Sequence, residues 1–195
     1  MSPTTTPANT FVLQQQRHDR LSVFAVIAVT LVALALGVVV RQAAEGRSRL
    51  FLYKGVAAAV PVGWLVEEGV GELAFQARNP AAPSQQYQVS LLQPTGELSQ
   101  IAAQRALARG RINETFRVLD EGSREINGHN GYQVSYAYVN VRATGLPSII
   151  EGEAYYFVEG GKTVEVTFEN RHEDFEATRP QFQGFLRSLN HGTGG

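Results

Sequence analysis

Hydrophobic and polar positions are distributed very unevenly along this chain, and the sharpest contrast comes early. The stretch "LSVFAVIAVTLVALALGVVV" (21–40) carries no charge, and only Ser22 and Thr30 offer a polar side chain. As a helix rising about 1.5 Å per residue it spans roughly 30 Å, the thickness of a bilayer's hydrocarbon core. It exceeds the ~7–15 apolar residues of a secretory signal, and the Arg that follows it suits a cleavage site poorly. It also lacks the polar face of a helix packed on a globular core. The pattern predicts an uncleaved transmembrane helix over 21–41. The preceding residues 1–20 are rich in Pro, Thr and Gln and read as a disordered tail. "QAAEGRSR" (42–49) reads as a polar tether.

Beyond the tether the pattern shortens to strand periods. Strands are expected near 50–54 and 56–60, with a turn at 61–63 and a short strand after Trp64. Two more, 72–80 and 86–93, form a hairpin across "NPAAPS", where Pro80 and Pro83 break pairing; Tyr87, Val89 and Leu91 point inward. Residues 96–112 are good helix formers, with Leu98, Ile101, Ala102 and Arg105 on one face; Arg105 is expected to lay its stem along that face and keep its charge in water. A strand over 115–126 leads into "NGHNG" (127–131), a strong hairpin signal.

Three longer strands follow. Residues 132–142 put Tyr132, Val134, Tyr136 and Tyr138 on one face and Ala137, Val139 and Val141 on the other. Strands 149–159 and 162–171 are joined by Gly160–Gly161. In the second, Val164, Val166 and Phe168 alternate with Glu165, Thr167 and Glu169, which predicts one buried face and one wet face. The chain closes with Phe175, Phe182, Phe185, Leu186 and Leu189 at helical spacing, Pro180 being expected to open the main run. Residues 191–195 read as a flexible end. The order defines an α+β chain: an N-terminal transmembrane helix, then one domain (50–190) with a central antiparallel sheet packed by helices.

Composition narrows the function. The 195 residues carry a net charge of −1, which gives no electrostatic case for nucleic acid. Cysteine is absent, which removes disulfides, thiolate metal sites, thiol nucleophiles and a lipid-modified cysteine. His18, His129, His172 and His191 have no spacing that sets two ligands on one helix face, so no metal site is expected. No serine elbow or phosphate-binding loop occurs; "EGGKT" (159–163) lacks the upstream glycine and lies between strands. Catalytic residues and cofactors are therefore not expected. Glu151 with Glu153, and Glu165 with Glu169, share strand faces. Pairing of those strands could bring the carboxylates together for acid–base work or Ca²⁺, but a solvated sheet face is the simpler reading. Trp64, Tyr136, Tyr138 and Tyr155 stand out as candidate partner-binding residues, because Trp and Tyr are enriched where partners dock.

Several of these segments together resemble the PsbP-like superfold, which takes in the DcrB-like bacterial lipoproteins and the Mog-type Ran-binding proteins. They are "VPVGW" (60–64), "FQARNP" (75–80), the central helix, "INGHNGYQVSYAYV" (126–139), "YYFVEGGKTVEVTFEN" (155–170) and "FQGFLRSL" (182–189), covering about 50–190. The resemblance implies a central antiparallel sheet with helices on its faces and an accessory, binding or cell-envelope role. It carries over no site residue. The apolar helix would replace the lipid anchor that a cysteine gives the lipoproteins.

Positive charge flanking the apolar run is nearly balanced, Arg17 and Arg20 before it against Arg41, Arg47 and Arg49 after it. The layout of short tail, apolar run and large domain favours an extracytoplasmic domain on a plasma membrane. The expected function is a non-enzymatic, single-pass accessory or binding protein with a protein partner in or on the membrane. The alternatives are an envelope domain that binds a small ligand or ion, and a hydrolase with a buried Glu set against His129 or His172.

Overall fold

The computed structural model describes residues 26–27, 29–34, 36, 47–93, 96–141 and 146–191, which divide into two units, 1–46 and 47–195. In the first unit the described residues are helical and exposed, with the Thr30 hydroxyl donating to the Val26 carbonyl at 2.9 Å. The remainder of the expected membrane helix, the tail 1–20 and the first part of the tether lie outside the described residues. Among the described residues no helix is long and apolar enough to cross a membrane.

The second unit starts with β1 (Ser48–Tyr53), two residues before the expected strand, so the end of the predicted tether is paired backbone. There follow β2 (Val56–Pro61), β3 (Leu65–Glu68), β4 (Leu73–Arg78), β5 (Gln86–Leu92), α1 (Leu98–Ile112), β6 (Arg117–Ile126), β7 (His129–Asn140), β8 (Ser148–Glu159), β9 (Lys162–Arg171), α2 (His172–Ser188) and the short β10 (Asn190–His191). The strands form two antiparallel sheets. The small one has the order β1-β2-β10, and the large one β3-β4-β5-β9-β8-β7-β6. The expected halves 50–93 and 115–171 thus build one sheet only from β3 onward. β1 instead pairs with β2, and β2 with β10.

Turn chemistry sets these registers. The β6–β7 hairpin closes on Asn127 (φ 51°) and Gly128 (φ 79°), the two left-handed residues that a two-residue turn matched to strand twist demands. Only the first Asn-Gly of "NGHNG" makes the turn; Asn130 and Gly131 are already in β7. Asn127 also donates from Nδ2 to the Leu186 carbonyl at 2.6 Å, tying the hairpin to the end of α2.

Two cores flank the large sheet. On one face α2 packs between β9, β8 and the small sheet, seating Phe175 and Phe182 on Phe168 with ring centroids 4.7 and 4.9 Å away. Trp64, Tyr87, Phe75 and Phe185 extend this cluster, and burial of each ring is worth very roughly 1.5–3 kcal/mol. Having both Phe175 and Phe182 buried on one strand residue explains why α2 runs unbroken through Pro180 instead of starting there; the two contacts together outweigh the roughly 3 kcal/mol that an interior proline costs. On the other face α1 packs Ile101 and Ala102 against Val134, Tyr136, Ala154 and Tyr156.

The sheet is consequently covered on both sides of β9. The expectation of a wet face there is wrong, since Glu165 and Thr167 are 2% and 3% exposed. Alternation of charged and apolar residues looks like a half-solvated strand, but here the helix lying over the polar positions brings its own cations.

Candidate functional site

Residues directly opposite each other in an antiparallel sheet share a face. One row of the large sheet runs Arg78, Gln86, Glu169, Gly152, Tyr136 across β4, β5, β9, β8 and β7. Glu169 is the centre of this row. It accepts hydrogen bonds from the Tyr136 hydroxyl (2.8 Å), the Tyr138 hydroxyl (3.1 Å) and Gln86 Nε2 (2.6 Å). All three donors are neutral, and among the described residues no cation pairs with it. Gln86 in turn accepts from Gln76 at 2.6 Å. Burial, then the Glu169 charge, pushes both tyrosine hydroxyls up from their ordinary value, so they stay protonated and act as donors.

Beside this row opens a cleft of about 350 Å³ lined by Arg78, Gln86, Tyr138, Asn140, Ile150 and Glu169, with the 83–84 loop as a wall. Arg78 makes no side-chain hydrogen bond or ion pair among the described residues. Its Nε is the one buried side-chain nitrogen or oxygen there without a partner. A larger groove, about 680 Å³, lies between the start of α1 and the β6–β7 hairpin.

Deeper under α1, Glu165 is held by Arg105 Nε at 2.9 Å, Arg109 Nη2 at 2.9 Å and the Tyr156 hydroxyl at 2.8 Å. Arg105 also reaches Glu72 at 3.0 Å. Its charge is therefore spent on carboxylates, not left in water as the sequence suggested. Arg109 lies over the Tyr136 ring, 5.0 Å from its centroid, and so links the Glu165 and Glu169 groups. On the opposite face Glu153 pairs with Arg179 at 2.6 Å and accepts from the Tyr155 hydroxyl (2.8 Å) and Gln133 (3.2 Å). Glu153 and Glu165 therefore point to opposite helices, so the sheet keeps apart the two carboxylate pairs that strand pairing could have brought together, and neither of these two is on the solvated face that was the simpler expectation.

Of the four candidate partner-binding aromatics, Trp64, Tyr136 and Tyr155 are buried at 7%, 0% and 5% exposure and belong to the cores. Tyr136 and Tyr155 are on strands whose faces the helices cover, and Trp64, just before β3, packs on Tyr87. Tyr138 is half-buried and lines the cleft. His172 does meet a carboxylate, with Nδ1 2.7 Å from Glu151 Oε2, but the pair is on the surface, His172 being 66% exposed. His129 stacks on Phe157 at 6.0 Å. Neither histidine forms the buried Glu–His set that the hydrolase reading required. Sequence reasoning missed Arg78, Arg105 and Arg109 as site residues. The spacing of four between Arg105 and Arg109, which puts both on one helix face, was the available signal.

No family model matches this sequence, and no curated protein does. Solved structures do share its fold. Cyanobacterial PsbP (CyanoP) from Synechocystis sp. PCC 6803 superposes with a TM-score of 0.59 at 12% identity, covering 75% of this chain and 94% of its own. The Saccharomyces cerevisiae Ran-binding protein Mog1p gives 0.50 at 10% identity, covering 74% of this chain and 96% of its own. The chain has the PsbP/Mog-like fold that its sequence resembles.

Proposed function

We propose that this chain is a single-pass membrane protein whose residues 47–195 form a non-enzymatic accessory domain that docks on a protein partner, on the extracytoplasmic side of a plasma membrane. One observation carries the non-enzymatic part. The buried carboxylates Glu153 and Glu165 are each saturated by arginine and tyrosine donors from the helix above, so their charge goes into fastening helices to the sheet. The apolar run 21–40 supports the anchor; Val29, Leu31, Val32 and Leu34 within it are 59–69% exposed, a surface that lipid would cover at far lower cost than water. Mog1p is a Ran-binding protein, and its sharing this fold is consistent with protein binding as a use of it. An anchor also holds a domain close to a membrane-bound partner, raising its effective concentration.

The test is extraction of the full chain from its own membranes in mild detergent. The expected result is retention in the carbonate-washed membrane fraction, release of a variant lacking residues 1–46, and a native mass that includes a stoichiometric partner. A full chain found in the soluble fraction, or running alone at its own mass plus detergent, would sink the reading. Protease digestion of intact spheroplasts reads the orientation, and a protected domain would place it in the cytoplasm.

A further inference from the structure

The cleft beside Glu169 holds two opposite charges, neither of which makes a direct ion pair among the described residues; Arg109, across the Tyr136 ring, reaches Glu169 only through its longer-range field. Arg78, on β4, has neither an ion pair nor an acceptor for its buried Nε. Glu169, on β9, accepts from three neutral donors and faces no cation within ion-pair distance among the described residues. β5 separates them, so their Cα atoms are about 10 Å apart, two strand spacings. Gln86, in between, cannot bridge the charges because its amide is already committed to Gln76 and Glu169. Elsewhere in the domain buried carboxylates are paired with arginine, so this separation is specific to the cleft.

We propose that the cleft is a binding site for a small zwitterion of the amino-acid class, its carboxylate on the Arg78 guanidinium and its ammonium on Glu169. This goes beyond the anchoring and docking role and does not depend on it. Simpler ligands fit the charges less well. A lone anion on Arg78 would sit beside the Glu169 carboxylate, which has no ion-pair partner of its own among the described residues, and a lone cation on Glu169 would face Arg78. A molecule bearing both charges gives each its counter-ion. Guanidinium and carboxylate match as a planar fork, which gives the acid end a defined orientation. The Asn140 amide makes no side-chain hydrogen bond among the described residues and stands free at the rim for a further contact. The cleft volume, about 350 Å³, falls at the lower end for small-molecule sites and suits an amino acid.

The test titrates the full chain in detergent micelles with each protein amino acid, read by ligand-observed NMR. The tightest binder is then compared with its decarboxylated amine and its deaminated acid. The expected result is saturable binding of at least one amino acid with a Kd of about 1 mM or tighter, and at least about tenfold weaker binding of both single-charge analogues. Arg78→Gln should abolish amino-acid binding while leaving the amine's weak binding unchanged. Binding of no amino acid below about 10 mM overturns the proposal. So does a deaminated acid that binds as tightly as its amino acid, which would make the cleft a plain anion site. The analogue comparison uses the native chain and needs no variant to fold.

Discussion

Tyr136 reaches across a whole strand to hydrogen-bond Glu169. The two residues are on β7 and β9, and Gly152 of β8 lies directly opposite both. The hydroxyl-to-carboxylate distance is 2.8 Å. A Cβ at position 152 would overlap the Tyr136 ring, so the bare backbone of Gly152 is what gives the ring its path. Gly152→Ala should therefore displace a fully buried tyrosine and uncouple Glu169 from a main donor. The expected loss is about 1–3 kcal/mol, as for other overpacked cores. Urea denaturation monitored by circular dichroism measures it, and an unchanged midpoint would show that Tyr136 can move aside freely.

The tyrosines also set an alkaline limit on stability. Burial, followed by the nearby carboxylate, raises the hydroxyls of Tyr136 and Tyr138 (Glu169), Tyr155 (Glu153) and Tyr156 (Glu165); burial alone raises Tyr87. The unfolded chain ionises these groups near pH 10, whereas the folded chain still holds the protons there. Their contribution to stability is thus complete below about pH 10 and is lost as pH rises through the higher folded values. The urea midpoint should hold steady up to about pH 10 and then fall. Tyrosinate absorbance should appear for these residues in one step together with the loss of circular dichroism. Gradual ionisation with the fold intact would contradict the burial assigned to them.

Glu165 is the fastening point of α1, and its removal should cost more than that of either arginine alone. Glu165→Ala strips the carboxylate from Arg109, a quarter exposed, and from Arg105, a third exposed. Breaking a buried pair in this way costs about 3–5 kcal/mol, because a charge is left in the interior without its partner. Arg105→Ala leaves Glu165 with Arg109 and Tyr156 and opens only a partly solvated contact, so about 1 kcal/mol or less is expected. Equal losses for the two variants would mean that Arg105, not Arg109, carries the attachment.

These contacts mark the limit of what the sequence reveals. The hairpins were legible because Asn-Gly and Gly-Gly pairs specify turns locally, and α1 because its helix formers run without a break. The separation of β1 and β2 into their own sheet was not legible, because the partner that draws them away, β10, is two residues long. The burial of Glu165 and Thr167 was hidden for a different reason. A strand that alternates Glu and Val reads the same whether water or an arginine-bearing helix covers its polar face. Only the joint pattern of Arg105 and Arg109 on one turn of α1 with Glu165 and Thr167 on β9 distinguishes the two cases. The resemblance to the PsbP-like superfold supplied the architecture but nothing of the cleft: Arg78 and Glu169 lie within two of the segments that carried it, yet it assigned neither a role.

Arg78 should prove dispensable for stability, unlike the other cations that line the sheet. The residue is half-buried, its guanidinium makes no ion pair among the described residues, and its Nε is buried without an acceptor. An unsatisfied buried donor carries a desolvation penalty of about 1–3 kcal/mol that no contact returns. Arg78→Met keeps the apolar stem and removes the donor, so stability should stay level or rise by up to about 1 kcal/mol. Arg179→Met is the contrast, because it deprives Glu153, only 3% exposed, of its cation and should be clearly destabilising. Urea midpoints of the two variants, measured without added ligand, separate a cation kept for the fold from one kept for something else. If Arg78→Met loses as much as Arg179→Met, the guanidinium has a structural partner in solution and the cleft holds no spare positive charge. If it loses nothing, the fold tolerates an unpaired cation in the same cleft as a carboxylate that makes no ion pair, and the two are poised for a ligand that carries both complements.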